Sequence, residues 1–150
     1  MRETADSAGA GPLTEQQRLR SAVEEAVART PVFDLHTHLY PPHFGRLYLA
    51  GIDELLTYHY LIAELFRFSP VTPERFWTLE KAVQADLIWQ TLFVRHTPLS
   101  EAARGVVAVL AALGLDPAAA DLREARAFFA AQEPEAHVQR VLELAGVSDV

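Results

Sequence analysis

Cysteine is absent from the 150 residues, which excludes disulfides and every metal site built on thiolates. Positive charge is scarce. Thirteen Lys and Arg stand against twenty Asp and Glu, giving a formal charge of −7. That balance argues against nucleic-acid binding, because neutralising phosphates requires a basic surface. Long apolar runs are also missing. The most continuous one, residues 105–115, falls short of the about 20 residues that a membrane-crossing helix needs. Residues 1–12 carry Glu3 and Asp6 and no apolar core, so a secretory signal is not expected. These absences leave a soluble, acidic, cytoplasmic protein with neither nucleic acid nor membrane as a partner.

Half of the residues are hydrophobic, enough for the core of one ordinary domain. Residues 1–13, with Ser7, Gly9, Gly11 and Pro12, read as a flexible leader. Thr14 and Gln17 mark a helix start, and Leu19, Val23 and Val27 follow at helical spacing. Thr30-Pro31 should stop that helix, since a residue before proline is pushed out of the α region. Residues 32–38 then favour a short, buried strand, ended by Tyr40-Pro41-Pro42. A helix is expected over 51–68 on the stripe Leu55, Tyr58, Ile62 and Leu65. Thr72-Pro73-Glu74 should open the next, running to about residue 95 with Phe76, Leu79, Val83 and Leu87 on its core face. Further helices are expected at 98–113, 117–131 and 133–145. The terminal Gly146-Val147-Ser148-Asp149-Val150 has the form of a helix end entering a strand at 147–150.

The chemistry concentrates in the first strand. His36 and His38 stand at i and i+2, so on a strand both imidazoles face the same way and can converge on one divalent metal, at about 2.0–2.1 Å from each. Asp34 would share that face and could orient a ligand or hold a proton. A His-x-His pair can equally line a polar pocket. Among the other histidines, His43 lies in a loop, His96 is expected to cap a helix end, and His137 is read as structural. Arg67 could meet a carboxylate, with a surface role as its default.

The run Phe33-Asp34-Leu35-His36-Thr37-His38-Leu39 resembles the first-strand signature, Asp-x-His-x-His, of the amidohydrolase superfamily of metal-dependent (β/α)8 barrels. His59-Tyr60, on the helix that follows, narrows the resemblance to the uronate isomerase (glucuronate isomerase) family, whose members carry such a pair on a helical insertion after strand one. Gly51-Ile52-Asp53-Glu54-Leu55, Pro98-Leu99 and the terminal Leu144–Val150 run are weaker matches. Ser100-Glu101-Ala102-Ala103 departs from the His- and Trp-rich stretch of better-known members. Thr57-Tyr58 departs from a glycine- and acid-containing approach.

A complete barrel of this type needs about 250 residues. The resemblance therefore implies an α/β chain that is the N-terminal part of a TIM barrel. It would be mostly helical, with strand one at 32–38, a helical insertion over 51–145 and the start of strand two at 147–150. It further implies that His36 and His38 hold a divalent metal, zinc by type. Tyr60 would donate or relay a proton at the substrate carbonyl, and His59 would position the substrate, a sugar acid. Without the family match, His59 and Tyr60 would read as core. The remaining ligands and the general base would lie outside this chain, leaving it inactive alone; a homo-oligomer is compatible with the sequence. Two other readings stay open: metal-dependent hydrolysis of an amide or ester, and a non-enzymatic helical module that binds a partner.

Overall fold

The computed structural model describes residues 14–150, so the leader read at 1–13 lies outside the described residues. The first helix, α1 (Glu15–Arg29), opens with a reciprocal cap: the Thr14 hydroxyl accepts from the Gln17 backbone N–H, and the Gln17 side chain accepts from that of Thr14. Two unpaired backbone donors are thereby satisfied. Its stripe is not covered, however, and Leu19, Val23 and Val27 are all exposed.

Strand β1 is only Val32–Phe33, shorter than the 32–38 expected. It pairs in parallel with β2 (Val147–Asp149), with Val32 opposite Val147 and Phe33 opposite Asp149. The skipped partner, Ser148, turns its hydroxyl to donate to the Val32 carbonyl at 3.2 Å. Backbone bonds from Val32 N–H to the Gly146 carbonyl and from Asp34 N–H to the Asp149 carbonyl flank the pair. The strand was expected to be buried and is not: Phe33 is 63% and Leu35 86% exposed.

The helical body holds the core. Where one helix over 51–68 was expected, there are two, α2 (Ile52–Leu56) and α3 (His59–Phe68). The Thr57 hydroxyl donates to the Asp53 carbonyl at 2.7 Å, and Tyr58 then adopts extended backbone. A side chain that bonds back into the preceding turn competes with helix continuation. The next expected helix is divided likewise, into α4 (Pro73–Phe76), α5 (Lys81–Trp89) and a π-helical turn at Gln90–Val94. The intervening turn is tied down by the buried Gln84 amide, which donates to the carbonyls of Phe76 and Leu79.

Because the helix restarts at Lys81, its buried face is Gln84, Ala85, Ile88 and Trp89. Val83, expected in the core, is 45% exposed. The helices α6 (Glu101–Ala112), α7 (Arg123–Ala130) and α8 (Pro134–Leu144) complete the body. Helix α7 starts six residues later than expected, because residues 117–122 form turns pinned to the end of α5 and the start of the π-helical turn. Trp89 Nε1–H donates to the Ala119 carbonyl and the Gln90 amide to that of Ala120. Gly146, at φ +68°, makes the left-handed turn from α8 into β2, a conformation that only glycine adopts freely. Among the described residues no helix is long and apolar enough to cross a membrane.

Candidate active site

Beyond Phe33 the chain does not continue as a strand. The Asp34 carboxylate accepts the His36 backbone N–H at 3.0 Å, and the Thr37 hydroxyl accepts that of Leu39 at 3.1 Å. Such local bonds bend the backbone and end a ladder. The alternation argument for His36 and His38 therefore fails, yet the two imidazoles still converge. Their Nε2 atoms stand 3.2 Å apart, with the rings nearly edge to face. Asp34 serves the bend rather than a ligand ring.

This spacing fits a shared metal. A cation at about 2.0–2.1 Å from each nitrogen would subtend an N–metal–N angle of about 100°, near the tetrahedral value. Among the described residues no group of three or more His, Cys, Asp or Glu side chains is arranged to hold a metal. A metal held by this pair would need further ligands from elsewhere.

The break at Thr57-Tyr58 decides what meets the pair. It puts His59 and Tyr60 in the first turn of α3 and turns the Tyr58 ring toward the histidines. The Tyr58 hydroxyl lies 2.9 Å from His38 Nδ1. His59 packs on both neighbours, with ring centroids 4.4 Å from Tyr58 and 4.1 Å from Tyr60. His38, Tyr58 and Tyr60 together border a groove of about 290 Å3, whose walls include Leu55, Leu61, Val106 and Val109. His59 and Tyr60 are exposed rather than core, so their reading as buried aromatics does not hold. Sequence reasoning placed Tyr58 in an apolar stripe and missed its contact with His38. The signal was the threonine before it, a residue able to end a helix.

Other candidates sit elsewhere. His43 is exposed beside Phe44, and Arg67 is exposed. His96 Nδ1–H donates to the Thr91 carbonyl at 2.6 Å, capping the end of the π-helical turn. His137 is buried against Phe129 and Phe128. Burial, aided by the Arg140 cation, holds its pKa below the ordinary imidazole value.

No family model matches the chain, and no curated protein matches it significantly. Among solved structures one match is strong, and it bears out the resemblance to the uronate isomerase family. The relative is a uronate isomerase from Bacillus halodurans C-125, 50% identical, with a TM-score of 0.85 over 93% of this chain. The chain spans 33% of that relative's length.

Proposed function

We propose that this chain forms the portion of a uronate isomerase that carries two histidine metal ligands, within the N-terminal part of a (β/α)8 barrel of the amidohydrolase type. The observation that carries the reading is the 50% identity to a uronate isomerase over nearly the whole chain. The reaction is the aldose–ketose isomerisation of a hexuronate, of the D-glucuronate to D-fructuronate type, in the cytoplasm.

That reaction moves a proton between C2 and C1 and exchanges the carbonyl and hydroxyl oxygens' roles. It requires a base at C2, an acid at the carbonyl end and a group that polarises the oxygens. His36 and His38 would hold a divalent cation, zinc by the preference of imidazole nitrogen, which when bound supplies Lewis-acid polarisation of substrate oxygens. Tyr60, at the rim of the groove that His38 also borders, donates or relays the proton at the carbonyl. His59, exposed and braced between two tyrosine rings, positions the sugar acid. The general base and the remaining ligands come from outside this chain, so the 150 residues alone are expected to be inactive and to hold metal weakly.

The test is a chimera in which this chain replaces the matching third of the Bacillus halodurans relative. The chimera is expected to isomerise glucuronate and to contain zinc. His36→Asn or His38→Asn in the chimera should lower the rate at least about 100-fold, more than the about 10–100-fold that losing a partner behind a ligand costs. A folded chimera without isomerase activity refutes the proposal.

A further inference from the structure

We infer that Tyr58 is the positioning residue for His38: its hydroxyl oxygen accepts the His38 Nδ1–H bond and so leaves the Nε2 lone pair pointing at the shared metal position. The inference rests on the metal reading above and adds to it the group that selects the productive form of the ring. A neutral imidazole carries one proton, on either nitrogen, and the hydrogen bond made by one nitrogen sets the state of the other. His38 can ligate through Nε2 only when the proton is on Nδ1. The atom facing Nδ1 is the Tyr58 hydroxyl, at 2.9 Å, while Nε2 faces His36 Nε2 at 3.2 Å. Without metal the two contacts fit either tautomer. His38 Nδ1–H can donate to Tyr58 while His36 Nε2–H donates to His38 Nε2, or the Tyr58 hydroxyl can donate to His38 Nδ1 while His38 Nε2–H donates to His36 Nε2. Only the first leaves His38 Nε2 free for a metal, and it is the one inferred here.

Tyr58 is suited to this because it stands on rigid structure and His38 does not. His38 lies in an exposed loop after a two-residue strand. Tyr58 sits between two anchors, Leu56 at 0% and Leu61 at 2% exposure. The helix break that aims it is itself braced. Thr57 bonds back to Asp53, and Lys81 Nζ donates to the Thr57 hydroxyl at 3.2 Å. On its other flank the ring packs on His59 and, at 5.7 Å, on Tyr60. Through Tyr58 the histidine loop is therefore registered against the helix carrying His59 and Tyr60. Partners of this kind behind metal-bound histidines are worth 10–100-fold in metal affinity.

The experiment compares the wild-type chain with Tyr58→Phe, which keeps the ring and removes the oxygen. Long-range proton–nitrogen NMR of labelled imidazoles, at about pH 8 where free histidine is neutral, reads the His38 tautomer; a His38→Gln spectrum gives the assignment. The wild-type chain is expected to show His38 protonated on Nδ1, and Tyr58→Phe to shift it toward Nε2. Zinc affinity, measured in the chimera described above by competition with a chromophoric chelator, should fall about 10–100-fold when Tyr58→Phe is introduced there. A wild-type His38 protonated on Nε2, an unchanged tautomer in Tyr58→Phe, or equal zinc affinities would each overturn the inference. Should Tyr58→Phe lose its helical signal, the wild-type tautomer alone decides. Failure of the chimera with Tyr58 intact to bind zinc would instead count against the metal reading, and the tautomer would still decide the role of Tyr58.

Discussion

Arg126 on α7 gives the sharpest test of how the helical body is held together. Its guanidinium donates to Asp53 Oδ1 of α2 at 2.9 Å, to Asp86 Oδ1 of α5 at 2.8 Å and to the Ala82 carbonyl at 2.9 Å. Burial works against its charge, but the hydrogen bonds to Asp86 and Asp53 outweigh it and raise its pKa above the ordinary value. Arg126→Met keeps much of the stem and removes the bonds to all three partners. Asp86 is half exposed, so that pair contributes at most about 1 kcal/mol. Asp53, at 21% exposure, is partly desolvated, and loss of the bond to it should cost about 1–2 kcal/mol, the low end for charged hydrogen bonds. The bond to the Ala82 carbonyl adds about 0.5–1 kcal/mol. The total is about 3 kcal/mol, or a fall of about 10 °C in Tm for a chain of this size. Urea denaturation followed by tryptophan fluorescence measures it. A double-mutant cycle with Asp53→Asn should give a coupling of about 1–2 kcal/mol, little changed between low and high salt. A loss under about 1 kcal/mol, or no coupling to Asp53, would refute the reasoning.

Three further outcomes are expected. His137 is held neutral by burial, with its folded pKa below the unfolded value of 6.5. Its contribution is therefore complete above about pH 6.5 and is lost as pH falls from there through the lowered folded value. Urea midpoints at pH 8 and pH 5 should separate more for wild type than for His137→Leu, and equal separations would contradict this. Gly146→Ala places a side chain at φ +68° with nothing within 4 Å of the new Cβ. The change should cost about 1 kcal/mol from backbone conformation alone, read from denaturation midpoints. Ile88→Ala should cost about 2–5 kcal/mol as a core truncation, whereas Val83→Ala on the same helix should change stability by less than about 1 kcal/mol. Comparable losses would place the core face of α5 wrongly.

The helical body was legible where local chemistry was strong. The capping box at Thr14, the Pro73 start and the glycine before β2 are decided by a few adjacent residues. Periodicity failed where a side chain interrupted the helix. Thr57 broke 51–68 in two, and the turn held by Gln84 reset the phase of α5, moving Val83 out of the core. The resemblance carried by the His-x-His motif survived although its geometric argument did not, because the bend at Asp34 and Thr37 achieved what strand alternation was expected to do. Tyr58 was missed for a different reason, since Thr57 signals the break but not the partner beyond it. Its contact is 20 residues away, across a break that no periodic pattern announces.

The parallel register of Val32 with Val147 has a kinetic consequence. The two partners are separated by about 115 residues, and closing so long a segment carries an entropic penalty that grows with the logarithm of its length. The helical contacts around Ile88 and Trp89 span far shorter stretches and form first, since local contacts favour fast folding. The strand pair joins late, when the intervening helices have already shortened the effective loop. The segment bearing His36 and His38 then has two tethers of different reach, the early local contact to Tyr58 and the late strand pair, and its final register waits on the second.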